Sequence, residues 1–373
     1  MGLTSTKVLA LAVMLAVLLF FGTVWLWPRL AGRTLGSVAG RVGLLLAVQL
    51  SLFVSLGLAV NQSFGFYATW NDLLGREQGQ GVVSDLNIAA GRGPLHVVDT
   101  QYVNVPGGSE PAVGGQIQKI DILGKTSHIA TSAYVYLPPE YFQAGAAARK
   151  TFPASVVLTG YPGTAEALIK GLHYPTTAHQ QAKAGLMKPM ILVMLRPTVA
   201  PPRDTECVDI PHGPQSETFF ARDLPQVISE HYRVDHKRGG WGIVGDSTGG
   251  YCALKLAMHH PDVYGAGAGL SPYYKAPIDP TTGDLFQGNT ALKQQADLMW
   301  SLKHGAPPNT SLLVTTSKHG EKDYGATMRF IKAVKPPTQV SSIVLDSGGH
   351  NFNTWRREIP ATLAWMSSRI AEG

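Results

Sequence analysis

Charge is what this chain has least of. Asp, Glu, Lys and Arg make up 15% of its 373 residues, where an ordinary soluble domain carries about 25%. The net charge of +6 is spread thinly, which suits solvation or weak attraction to anionic envelope components. No basic cluster is interleaved with aromatics, so the sequence points away from nucleic acid. Cysteine is nearly absent as well. Cys207 and Cys252 are the two present, and without a C-x-x-C or mixed Cys/His spacing they do not suggest zinc. A disulfide between them is chemically allowed outside the cytoplasm, and two buried thiols fit equally well. No internal repeat is visible. "GAGAG" (265–269) completes no G-x-G-x-x-G and has no helix directly behind it, so it reads as a strand packed closely by neighbours rather than a dinucleotide loop.

Long apolar runs, by contrast, are present, and they sit at the front. Val8 to Trp27 is free of charge, and Val42 to Val60 is interrupted only by Gln49, Ser51 and Ser55. At about 1.5 Å per residue each is long enough for a hydrocarbon core of about 30 Å. A cleavable signal peptide fits the first run poorly, because it is too long and "WLWPRLAGR" offers no small-residue cleavage site. Residues 1–60 are therefore expected to be two transmembrane helices. Arg29, Arg33 and Arg41 crowd the short connection, against Lys7 before it and Arg76 after. The positive-inside bias puts that connection in the cytoplasm and both chain ends outside. Trp25 and Trp27 at one boundary, and Phe64, Phe66, Tyr67 and Trp70 at the other, suit interfacial belts or packing against the domain that follows.

Residues 61–114, rich in Gly, Gln and Asn, read as a linker with one short helix. From 115 to 373 the texture is that of one catalytic domain. "GQIQKIDILG" and "SHIATSAYVYLPP" look like paired antiparallel strands. "FPASVVLT", "MILVML", "WGIV", "YGAGAGL", "SLLVTT" and "VSSIVL" are near-continuous apolar strands separated by helical segments. That alternation predicts an α/β fold, a mainly parallel sheet with helices on both faces.

In such a sheet reactive groups collect at the carboxyl ends of the strands. "GDSTG" follows "WGIV" and fits G-x-S-x-G, in which small residues let Ser247 stand clear on a sharp strand-to-helix turn. The loop after "SLLVTT" brings Glu321 and Asp323, and the loop after "VSSIVL" brings His350 behind two glycines. Ser, acid, His is the order of an α/β-hydrolase triad. Asp323 is preferred as the acid because it sits at the start of a helix and is held in place, although an Asp there also caps the helix for purely structural reasons. Glu321 is the alternative. The Thr248 amide, at a helix N-terminus, and the Tyr161 amide in "GYPG" are the candidate oxyanion donors, since Pro162 has no N–H. His259 and His260 read as the end of a helix before Pro261.

"VVLTGYPG", "GDSTGG", "LSPYY" and "GGHNFNTW" together resemble the putative-esterase group of α/β-hydrolases. The group includes esterase D-like S-formylglutathione hydrolases, feruloyl esterases and mycobacterial mycolyltransferases. The resemblance covers about 115–370 and implies acyl transfer through a serine ester, with no metal and no organic cofactor. By position Ser247 and His350 carry over, as do Tyr161 and Thr248 as backbone donors. The expectation is a serine esterase of the cell membrane whose catalytic domain faces outward. Its expected partners are an acyl ester, with lipid and glycolipid esters among the candidates, and the membrane. Transfer of the acyl chain to an envelope sugar is the rival chemistry, and a non-catalytic hydrolase-like binding protein the rival class. A peptidase would require a large cap, and only about twenty residues, 271–290, lie between "GAGAGL" and the next helix.

Overall fold

A computed structural model describes residues 5–64, 93–145, 149–235 and 240–370, and the chain divides into two compact units, 1–77 and 78–373. In the first, helices α1 (Thr6–Leu26) and α2 (Leu35–Phe64) form a hairpin closed by a 3-10 turn, Trp27–Leu30. At the open end Gln62 Nε2 donates to Thr6 Oγ1 at 3.1 Å. At the turn the Arg29 guanidinium lies 4.2 Å over the Trp25 ring. Both helical stretches are long and apolar enough to cross a membrane, with mean hydropathies of 2.6 and 2.2. Phe21, Leu50 and Phe53 are exposed, an arrangement costly in water and cheap in lipid. Phe66, Tyr67, Trp70 and Arg76, which entered the boundary and charge arguments, lie outside the described residues.

The second unit is built on a nine-stranded sheet: β1 (Leu95–Tyr102), β2 (Gln116–Leu123), β3 (Ala130–Leu137), β4 (Ala154–Leu158), β5 (Ile191–Leu195), β6 (Trp241–Asp246), β7 (Tyr264–Leu270), β8 (Ser311–His319) and β9 (Gln339–Ser347). Their order is β1-β2-β3-β5-β4-β6-β7-β8-β9. The first four in that order are antiparallel neighbours, and β5 through β9 run parallel. β1 corrects the linker expected over 61–114: its residues 95–102 are part of the sheet. It is an edge strand exposed over most of its length, so it carries no alternation of apolar and polar residues by which a strand is recognised.

Helices α3 (Tyr174–Lys183), α4 (Leu224–His231), α5 (Thr248–His259), α6 (Leu298–His304), α7 (Tyr324–Ala333) and α8 (Phe352–Ile370) flank the sheet. Leu224, Leu254, Leu298 and Phe330 from α4 to α7 pack on one face. Tyr174, Ile359 and Leu363 from α3 and α8 pack on the other. Every residue of β4, β5 and β6 is buried, which is why those strands are apolar without alternation. The glycines of β7 serve close packing: a Cβ on Gly267 would lie 2.5 Å from the Ala257 Cβ of α5.

Candidate active site

Ser247 stands between β6 and α5 with φ +53° and ψ −118°, a conformation an L-residue holds only where its surroundings over-determine it. They do so here through the two flanking glycines. A Cβ on Gly245 would meet the Gly249 backbone at 2.4 Å, and one on Gly249 would meet the Leu158 carbonyl oxygen at 2.5 Å. The Ser247 amide donates to the Leu270 carbonyl at 3.0 Å, and its carbonyl accepts from Tyr251 N–H. The hydroxyl is thereby aimed outward, 2.8 Å from His350 Nε2.

The loop carrying His350 is set by equally tight backbone contacts. Gly348 N–H donates to the His319 carbonyl, and Gly349 N–H to Thr354 Oγ1 at 2.9 Å. A Cβ on Gly348 would strike Ser317 Oγ at 2.5 Å. The imidazole packs edge-on against Trp355, with ring centroids 5.1 Å apart. Trp355 is held in turn: its Nε1 donates to Ser271 Oγ at 2.9 Å. Ser271, in a left-handed conformation just past β7, donates to Glu321. Thr316 Oγ1 also donates to Glu321, at 3.3 Å.

The two candidate acids therefore occupy different situations. Glu321 is committed to Ser271 and Thr316, and burial raises its pKa. Asp323 stands at the N-cap of α7 but makes no side-chain capping bond, so the structural role an Asp can play there is not the one it has. Its negative charge acts on His350, working against the burial that lowers the imidazole pKa overall. Among the described residues no carboxylate hydrogen-bonds the ring. Asp323 influences it through space.

The two amides expected to face an oxyanion belong to residues that follow the carboxyl ends of the neighbouring strands β4 and β6. Thr248 opens α5, so its N–H has no intrahelical acceptor. Tyr161 follows β4, one residue after Gly160, whose N–H donates to Asp246 Oδ2 at 2.8 Å. Thr248 is supported from behind: Tyr273 contacts its side chain and donates to Glu206 at 2.6 Å. Burial and the neighbouring Asp204 push the Glu206 carboxyl up to about 9.

Cys207 and Cys252 are bonded, joining the loop after β5 to α5 across 45 residues; both are fully buried. Beside them the buried Lys255 ammonium donates to the Cys207 carbonyl and to Glu217 Oε2, each at 2.5 Å. His259 and His260, at the end of α5, both lie 2.9 Å from Glu217 Oε1. Burial alone would raise the Glu217 pKa, but Lys255 and the two imidazoles outweigh it and hold the carboxyl far below its ordinary range. Asp246, Glu206, Ser271, Trp355 and this Glu217 cluster escaped the sequence reading. The one local signal was Asp246 inside the G-x-S-x-G itself, a charged residue in an otherwise apolar strand.

Comparison with known proteins shows the family and the fold. The family model described as "Putative esterase" matches residues 128–366, more than half of the chain. An uncharacterised protein of Corynebacterium glutamicum is 25% identical over 260 residues, covering 64% of this chain and 58% of that protein. The aligned part thus spans less than two thirds of that relative. Among solved structures, a ferulic acid esterase superposes with TM-score 0.57 at 19% identity, over 68% of this chain and 97% of its own. An S-formylglutathione hydrolase of Agrobacterium tumefaciens gives TM-score 0.57 at 17% identity, over 74% and 99%. A fluorophosphonate-binding serine hydrolase of Staphylococcus aureus gives 0.52 at 15%, over 67% and 98%. At such identities the structural likeness speaks for the fold.

Proposed function

The chain belongs to the putative esterase family of α/β-hydrolases, and on that premise we propose that it is a serine esterase acting on carboxylic esters through an acyl-enzyme. The observation that carries the reading is the 2.8 Å contact between Ser247 Oγ and His350 Nε2 on the strained turn. As Oγ attacks the ester carbonyl carbon, its proton passes to His350 Nε2. The charge that develops on the carbonyl oxygen is met by the Thr248 and Tyr161 N–H groups and by the positive end of α5. Collapse breaks the bond to the alkoxide, which takes the proton from His350, and leaves the acyl group on Ser247. An incoming hydroxyl then repeats the sequence in reverse, releasing the acyl product and restoring the serine. Asp323 stabilises the imidazolium formed in both halves.

The incoming hydroxyl is that of water in an esterase and of an acceptor alcohol in a transferase. The two helices long and apolar enough to cross a membrane favour a membrane-anchored enzyme, with lipid-linked esters and envelope sugars among its partners. The buried disulfide favours an oxidising compartment, so the catalytic unit faces outward in this reading. Ser247→Ala tests the core of it: hydrolysis of p-nitrophenyl esters should fall by about 10⁴-fold or more. Loss of one hydroxyl should shift stability by no more than about 0.5 kcal/mol. Full activity in that variant removes Ser247 from the mechanism. Adding envelope sugars then separates the two acceptors, because diversion of acyl product away from free acid identifies transfer.

A further inference from the structure

We infer that Asp246, the residue before the proposed nucleophile, is a positioning residue that sets the oxyanion loop against the nucleophile turn. This rests on the catalytic reading above and adds to it the device that brings Tyr161 and Ser247 into register. β4 and β6 are parallel neighbours, paired Leu158 with Gly245, so the turns that leave them run side by side. The backbone ladder stops there. Beyond it, a side chain ties the two turns together: Gly160 N–H donates to Asp246 Oδ2 at 2.8 Å, one residue before each catalytic group.

The fit around that bond is close. A Cβ on Gly160 would lie 3.0 Å from Asp246 Oδ2 and 3.1 Å from the Ser247 Cβ. The carboxylate is 2% exposed, and its other oxygen, Oδ1, is buried without a protein partner. Two further buried oxygens without a protein partner, Tyr174 Oη and Glu358 Oε1, come from helices α3 and α8 on the same face of the sheet. A charged side chain is costly to place there. A hydrophobe of similar size would fit the surroundings with less penalty, but it could not accept the Gly160 amide. Burial pushes the Asp246 carboxyl up to about 7, in line with a group kept for its acceptor oxygen rather than for its charge.

The geometry predicts a specific pattern in the full-length protein. Asp246→Ala frees the 160–163 turn, so the Tyr161 donor is misplaced for the transition state while the ester site persists. kcat should fall by about 10²-fold, the scale of losing one oxyanion donor, with KM within about threefold. Hydrogen exchange of the peptide covering 159–163 should gain one fast amide. Asp246→Asn keeps the acceptor oxygen and should restore kcat to within about tenfold of wild type. If Asp246→Ala does not fold, Asp246→Thr, whose oxygen is too short to reach Gly160, is read in its place. A folded Ala or Thr variant with wild-type kcat, or with unchanged exchange at 159–163, overturns the inference. Asn behaving like Ala overturns it too. A wild-type protein that neither hydrolyses esters nor reacts with a fluorophosphonate sinks the catalytic reading instead, and the exchange measurement still reports on the tie itself.

Discussion

Replacing Asp323 by Asn removes the carboxylate charge that acts on the His350 imidazole while leaving shape nearly unchanged. That charge is a raising influence on a group whose pKa burial has already lowered. Without it the imidazolium formed during acylation is less stable, and the neutral ring persists to lower pH. The acid limb of kcat/KM, which reports neutral His350, lies below pH 6.5 in the wild type and should move lower still in Asp323→Asn. Each unit of that movement corresponds to about 1.4 kcal/mol of lost imidazolium stabilisation. Neutralising the acid of a fully hydrogen-bonded triad costs about 10⁴ in kcat. Because Asp323 acts here without a hydrogen bond to the ring, the expected loss spans about 10² to 10⁴. Stability should barely change, since Asp323 makes no side-chain capping bond and a substitution of that kind stays within about 0.5 kcal/mol. Glu321→Gln is the matched control. Gln keeps one acceptor oxygen, for Ser271, and gives up the longer 3.3 Å bond from Thr316, so the rate should stay within about tenfold. The assay is ester hydrolysis from pH 4.5 to 9 with a melting curve for each variant. A dead Glu321→Gln beside an active Asp323→Asn would refute the assignment and exchange the two roles.

Other consequences are open to equally direct measurement. Cys207→Ser with Cys252→Ser opens a 45-residue loop and should cost about 2–4 kcal/mol by the chain-entropy argument; denaturant unfolding that shows no loss would contradict a structural role. Glu206, Glu358 and Asp246 have pKa values raised by burial to about 9, 8 and 7, above their unfolded values near 4. Their stabilising contribution is complete below about pH 4 and is lost as pH rises through those values, so Tm should decline between pH 6 and 9.5 and Glu206→Gln should flatten the decline. Protease applied to spheroplasts should digest the catalytic unit from outside, and complete protection would reverse the proposed orientation.

Much of the fold was legible because the central strands are buried on both faces and the helices between them are amphipathic. "YGAGAGL" is β7 residue for residue, and the glycines flanking Ser247 announce the turn that the backbone requires. What escaped reading depends on distance along the chain. β1 is an exposed edge whose "LHVVDTQY" alternates nothing. Ser271 and Trp355 meet across 84 residues and Gly160 and Asp246 across 86, and no local pattern records such pairings. The acid was ambiguous for a physical reason as well. Glu321 and Asp323 share one loop, and only the partners of each, Ser271 and Thr316 against the field at His350, tell them apart.

The central claim is that Ser247, activated by His350, is the nucleophile. The measurement that tests it most directly is mass-spectrometric mapping of the adduct left by a fluorophosphonate on the full-length protein. The account predicts one phosphonylated residue, Ser247, with labelling abolished in Ser247→Ala and strongly slowed in His350→Gln. Labelling that survives Ser247→Ala, or an adduct on another residue, would contradict it.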